Sequence, residues 1–182
     1  MLERQEALTF LRQHIHKENL VKHMLATEVC MRKLAETRKE DQESWALAGL
    51  LHDIDYELTA ENPQKHGIIS MDMLAGSDLS PEILDAIKSH SGHCERSTPM
   101  AKALYAIDPL TGLIVASALM TPMRKLSALN TETVMKRYKE KRFAAGACRD
   151  QIASCTELGL ALDEFVGLCV EAMQNASDEL GL

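Results

Sequence analysis

The sequence predicts an all-α fold. Apolar residues recur at three- and four-residue spacing through most of the chain, and no stretch alternates apolar with polar residues as a half-buried strand would. Aromatic residues make up only 4% of a chain that is 46% hydrophobic, so the core is expected to be Leu, Ala, Met, Ile and Val packed between helices. With 182 residues the chain suffices for one well-formed core and is short for two, so a single domain over 1–182 is expected.

Each element has its own signal. Over 3–16, Ala7, Leu8, Leu11 and Ile15 share one stripe, the mark of an amphipathic helix. A second helix over 18–37 sets Leu20, Met24, Thr27, Met31 and Leu34 on a stripe that His23 joins. The polar run 38–43 is a loop, and Asp41 or Ser44 caps a helix carrying Trp45 to about Asp53. Asn62-Pro63 breaks the chain, and a helix over 63–74 starts with proline and holds His66 in its first turn. Ser80-Pro81-Glu82 opens a helix over 81–90, with serine as N-cap. Helices are also expected over 99–120, 131–139, 142–158 and 162–180, with Gly159 and Gly181 as stop signals.

Several function classes are disfavoured. The formal charge of −7 makes a sequence-wide attraction to nucleic acid or to an anionic membrane improbable. P-loop, GxGxxG and GxSxG patterns are absent from the sequence, as are internal repeats. Cys30, Cys94, Cys148, Cys155 and Cys169 contain no CxxC pair and are odd in number, which predicts free, mostly buried thiols in a reducing compartment. Cys148 and Cys155, a heptad apart, are both expected to be buried. The charged N-terminal stretch lacks an apolar signal region and no apolar run reaches bilayer-spanning length, so a cytoplasmic location is expected.

The main chemical signal is the clustering of all seven histidines in the first 93 residues. In "LAGLLHDIDYELT" an apolar helical run ends in His52-Asp53, with Asp55 and Glu57 close behind. Taken alone, the dipeptide suits a helix end facing water. Asp108, however, interrupts the apolar run "LYAIDPLTGLIVASALM", where an unpaired acid is costly. His23, His52, Asp53 and Asp108 together offer nitrogen and oxygen ligands suited to iron, manganese, cobalt, nickel or zinc.

In this order, H…HD…D, the chain resembles the HD-domain superfamily of metal-dependent phosphohydrolases over about 18–120, and "GLLHDID" is similar to the HDIG form of the motif. The resemblance implies an HD-type helical bundle, with 121–182 as helical support. Two-metal members carry two more histidines before the last aspartate, which implies His66 and His90 as ligands and Asp53 as the bridge. Two divalent transition-metal ions are thus the expected cofactor. The implied activity is hydrolysis of a small phosphorylated metabolite or nucleotide. Mixed-valent diiron chemistry and non-catalytic nucleotide or partner binding are the alternatives.

HDIG proteins usually continue with glycine and lysine, where this chain has Asp55 and Tyr56. Asp55 and Glu57, with Asp53, are therefore the candidate catalytic groups, either in acid–base roles or orienting His52. The basic segment 124–142 suggests Arg124 and Lys125 as substrate contacts, with His93 a third, although a solvated charged face is the commoner use of such a run. His14 and His16 are expected at the surface.

Overall fold

The computed structural model describes residues 2–182, and every regular element among them is helical. In chain order these are α1 (Arg4–His14), α2 (Glu18–Arg38), α3 (Gln42–Leu51), α4 (Tyr56–Thr59), α5 (Ile69–Met73), α6 (Pro81–Ser89), α7 (Pro99–Leu119), α8 (Thr131–Lys139), α9 (Arg149–Ala153), α10 (Leu162–Asn175) and α11 (Ser177–Leu180). Short 3-10 turns occupy Pro63–Lys65, Leu126–Ala128 and Ser154–Leu158.

The two 21-residue helices, α2 and α7, form the centre of the bundle. On α2 the buried residues include Met24, Met31 and Leu34, and on α7 Leu104, Ile107, Leu110 and Ile114. The α3 helix lies along α2, α6 packs on α7, and α10 covers α2 with Phe165 and Met173. Gly49 explains how closely α2 and α3 approach: a Cβ there would stand 2.9 Å from the backbone of Thr27 and Glu28. That contact brings the His23 turn of α2 beside the end of α3.

The helix starts follow local chemistry. The Asp41 carboxylate accepts the Glu43 N–H, Ser80 Oγ accepts the Ile83 N–H, and Thr98 Oγ1 accepts the Ala101 N–H. At the other ends, Gly159 and Gly181 take the left-handed backbone at φ 77° and 69°.

Three expected helices are broken. The segment 63–74 is a 3-10 turn and then α5, interrupted at Gly67, whose φ of +77° is incompatible with continuous helix. His66 accordingly caps the end of the 3-10 turn rather than lying in a helix's first turn. Over 142–158, an irregular loop precedes α9 and a 3-10 turn, because Arg149 draws backbone carbonyls to its guanidinium instead of leaving them to a helix. The last helix divides at Ala176 into α10 and α11. Cys148 is the N-cap of α9 and is exposed, contrary to expectation, while Cys155 is buried.

The spanning-length expectation also needs correction. Among the described residues, α7 is long and apolar enough to cross a membrane, with a mean hydropathy of 1.3 over its most apolar window. Over half of that window, 56%, is buried in this bundle, so its apolarity serves the core.

Candidate metal centre

Three turns and two helices deliver the site. His23 comes from the first half of α2, His52 caps the end of α3, and Asp53 follows in the turn to α4. His66 closes the 3-10 turn, His90 caps α6, and Asp108 lies in α7 immediately before Pro109. His52 is fully buried, His90 is 1% exposed and Asp53 4%, while the side chains of His23, His66 and Asp108 keep 22%, 17% and 27% exposure toward one cavity.

The Nδ1 atoms of the four histidines are all engaged. His52 Nδ1 donates to the Gly49 carbonyl at 2.8 Å, and His90 Nδ1 to the Ile87 carbonyl. His66 Nδ1 donates to Asp55 Oδ1 at 2.8 Å. The Thr111 hydroxyl spends its hydrogen on the Asp108 carbonyl at 2.9 Å, so it accepts from His23 Nδ1 at 3.0 Å. With Nδ1 protonated, each neutral ring turns an Nε2 lone pair inward.

Those lone pairs face one another. His23 and His52 meet Nε2 to Nε2 at 3.2 Å, and His66 and His90 at 3.0 Å. Two neutral imidazoles in that arrangement repel unless a proton or a cation stands between them. The carboxylates reinforce the demand: Asp53 Oδ1 lies 3.1 Å from His66 Nε2, 3.4 Å from His90 Nε2 and 3.5 Å from His52 Nε2. Its other oxygen, Oδ2, is 3.5 Å from His23 Nε2, and Asp108 Oδ1 is 3.1 Å from the same nitrogen. Two clusters therefore have the spacing and donor chemistry for a divalent ion, His23–His52–Asp108 and His52–Asp53–His90.

Electrostatics fit the same reading. Burial opposes the charged form of His52, but Asp53 and Asp108 outweigh it and raise its pKa to about 9. Burial likewise opposes charge on His66, and Asp53 and Asp55 carry it up to about 10. Burial also works against Asp53, yet His52, His66 and His90 hold its carboxyl well below the usual range. Asp108 is held low in the same way by His23 and His52 against its burial.

The remaining candidates lie elsewhere or act differently. Asp55 is fully buried and receives His66 Nδ1–H, the Gly67 N–H at 2.8 Å and the Ser70 N–H at 3.1 Å, so it orients His66, not His52, and has no oxygen directed at the cavity. Glu57 turns away from the site: Oε1 accepts the N–H groups of His16 and Lys17 at 3.0 and 2.8 Å, closing the junction between α1 and α2. Arg124 and Lys125 line a separate surface pocket with Ser177 and Asp178. His93 donates to the Pro63 carbonyl at 3.2 Å and does not line the cavity. Phosphate-binding and acid–base roles for these side chains are therefore without geometric support.

Two contributors escaped the sequence. Thr111 sets the His23 tautomer, a task that its place one turn beyond Asp108 makes readable only in hindsight. Gln151 of α9 reaches the cavity, about 350 Å³ in volume, alongside Leu20 and Tyr56, from a segment without any ligand-like signal. Tyr56 stands edge-on to His66 with ring centres 5.6 Å apart.

Comparison with known proteins adds the family context. The family model described as "HD domain" matches residues 20–118. The chain is similar to Ribonuclease Y of Chlorobaculum tepidum, 32% identical over 92 residues, covering 50% of this chain and 17% of the relative. It is 29% identical over 97 residues to Ribonuclease Y of Chlorobium chlorochromatii, covering 53% and 18%. With Ribonuclease Y of Bacillus thuringiensis the match is 28% over 138 residues, covering 73% and 26%. The chain thus spans a quarter or less of most of these relatives' length, and no solved structure matches it significantly.

Proposed function

The chain belongs to the HD domain family of metal-dependent phosphohydrolases, and we propose that it hydrolyses a phosphoric ester of a small metabolite or nucleotide with two divalent ions held by His23, His52, Asp53, His66, His90 and Asp108. The observation that carries the proposal is the position of Asp53. Its Oδ1 faces His52, His66 and His90 and its Oδ2 faces His23, an arrangement suited to bridging two ions.

Ions bound there would supply a water activated near neutral pH and a Lewis acid for the phosphoryl oxygen. The chain's own groups do the rest. The Nδ1 hydrogen bonds hold the four rings in one tautomer, and Asp53 and Asp108 stay ionised through the neutral range. Gln151 lines the cavity, and its side-chain amide would offer an N–H to a phosphoryl oxygen. In the reaction, water adds to phosphorus, the ester P–O bond breaks, and the leaving alkoxide takes the proton that the water gives up.

The relatives' name makes an RNA phosphodiester a second substrate to assay. The formal charge of −7 and a cavity without lysine or arginine among its lining residues favour a small ester instead.

Elemental analysis of protein purified without chelators or a metal-affinity tag, paired with phosphate-release assays, tests the proposal. The expected result is about two equivalents of a transition metal and phosphate release that Asp53→Ala abolishes while the protein stays helical. Full metal occupancy in Asp53→Ala would overturn the ligand assignment. Retained iron, oxygen consumption and no phosphate release would replace hydrolysis by oxidative chemistry.

A further inference from the structure

We propose that the substrate's organic group lies in an apolar groove running from the metal cavity along α7, and that Gly112 on the groove's floor determines which organic groups fit. The inference rests on the phosphoric-ester reading and adds the class of ester: a single phosphate carrying an uncharged, ring-sized organic group.

Continuity with the metal cavity is the first argument. His23 and Asp108 line that cavity and also a neighbouring one of about 360 Å³, whose other walls are Pro109, Gly112, Ala144 and Ala147 with Gly146. His23 and Gly112 in turn border a third cavity of about 340 Å³, lined by Ala26, Val115 and Leu119. A phosphoryl group held at His23 and Asp108 would stand at the wall that the metal cavity and this groove share. The groove follows one face of α7, since Asp108, Gly112, Val115 and Leu119 fall at helical spacing.

Gly112 is the second argument. Its φ is not in the left-handed region, and a Cβ added there would meet nothing within 4 Å, so neither backbone strain nor crowding calls for glycine. In a helix interior glycine lowers stability relative to alanine. What the missing side chain provides is an open floor one turn beyond Asp108.

The opposite wall is a built structure. The Arg149 guanidinium donates to the carbonyls of Arg137, Tyr138, Glu140, Phe143, Ala144 and Ala147, and the Tyr138 hydroxyl returns a bond to the Arg149 carbonyl at 3.0 Å. This ring of carbonyls holds the loop that presents Ala144 and Ala147 to the groove. Among the described residues, neither the metal cavity nor the cavity beside Pro109 has lysine or arginine in its walls, and Lys22 is the one such residue lining the third. A second phosphate would find no counter-charge along most of the path.

The test is calorimetric titration of the manganese-loaded chain and its Gly112→Ala and Gly112→Leu variants with two hydrolysis-resistant probes, ethylphosphonate and (1-naphthylmethyl)phosphonate. Wild type is expected to bind the naphthyl probe at least about tenfold more tightly. Gly112→Leu should lose that preference while keeping its manganese content and its affinity for ethylphosphonate, with Gly112→Ala between the two. Equal affinities in wild type, no binding of either probe, or a leucine variant that changes both affinities alike or neither would overturn the inference. Failure of the hydrolase reading looks different: no phosphate release from ethyl or 1-naphthyl phosphate, with the probe preference and its loss in the variant intact.

Discussion

Asp55 and His66 are joined by a 2.8 Å hydrogen bond from Nδ1 to Oδ1, and the same carboxylate receives the N–H groups of Gly67 and Ser70. One buried side chain therefore holds both the His66 ring and the turn that presents it. Asp55→Asn keeps the size but substitutes an amide for one accepting oxygen, so His66 or a backbone N–H loses its partner. Metal affinity, measured by chelator competition, should fall by roughly 10–100-fold. Unchanged affinity would restrict Asp55 to folding.

Gly49→Ala tests how His23 of α2 and His52 at the end of α3 are brought together. The added Cβ must displace the α2 backbone, from which it would stand 2.9 Å. Such overpacking costs about 1–3 kcal/mol, against a helix-propensity gain of at most about 1 kcal/mol. Thermal melts should show a Tm lower by several degrees, and metal content should fall with it because His23 and His52 separate. A variant as stable as wild type would remove close helix approach as the cause of the site's geometry.

Glu57 is a helix-junction residue with a pH signature. The Lys17 N–H, opposed by partial burial and aided by the His16 N–H, lowers its pKa from the ordinary value of 4.5. A folded pKa below the unfolded one means the unfolded chain binds more protons in the acid range, so the contribution is present above pH 4.5 and is lost as pH falls through the folded value. Glu57→Ala should lower Tm near neutrality, and the difference from wild type should close in acid. Turnover per bound metal should be unaffected; a collapse of kcat with stable folding would restore Glu57 to the chemistry.

Metal binding and proton binding compete at this centre. His52 and His66, with pKa values near 9 and 10 in the metal-free protein, carry protons at pH 7 that ligation must expel. Calorimetry in buffers of different ionisation enthalpy should register release of about two protons per dinuclear site, and affinity should weaken as pH falls. Chelation should lower Tm, since the ions bind the folded state. Binding without proton release would contradict the raised pKa values of His52 and His66 and leave both rings neutral, with Nε2 already free for the ion.

Replacing both Arg124 and Lys125 by alanine should leave KM for a phosphorylated substrate within about twofold, because neither lines the metal cavity. A large rise in KM would show that the surface pocket they share with Asp178 communicates with the site.

Much of the helical order was legible because amphipathic spacing and caps are local. Ser80-Pro81, Asp41 and Gly159 act within one turn of themselves, and the structure uses them as the pattern implies. The breaks were not legible for the opposite reason. Gly67 turns left-handed to deliver its N–H to Asp55, 12 residues back, and the loop before α9 is gathered by Arg149 from carbonyls as far back as Arg137.

The sequence alone determined that this chain is a helical bundle of the HD type, and it contained the histidines and aspartates that the fold brings into one cavity. The HD type rests on the resemblance of the ordered H…HD…D residues to that family; residue type and spacing add that these groups must meet, since an imidazole or carboxylate on an apolar stripe must find a partner wherever the stripe is buried. Only the tertiary structure decided what each neighbouring polar group does. It turned Asp55 inward to His66, sent Glu57 to a helix junction, placed Arg124 and Lys125 on another surface, and brought Thr111 and Gln151 to the site. Those outcomes depend on hydrogen bonds of a few ångströms between segments far apart in the chain, and no local pattern specifies which donors and acceptors the packed helices bring within reach.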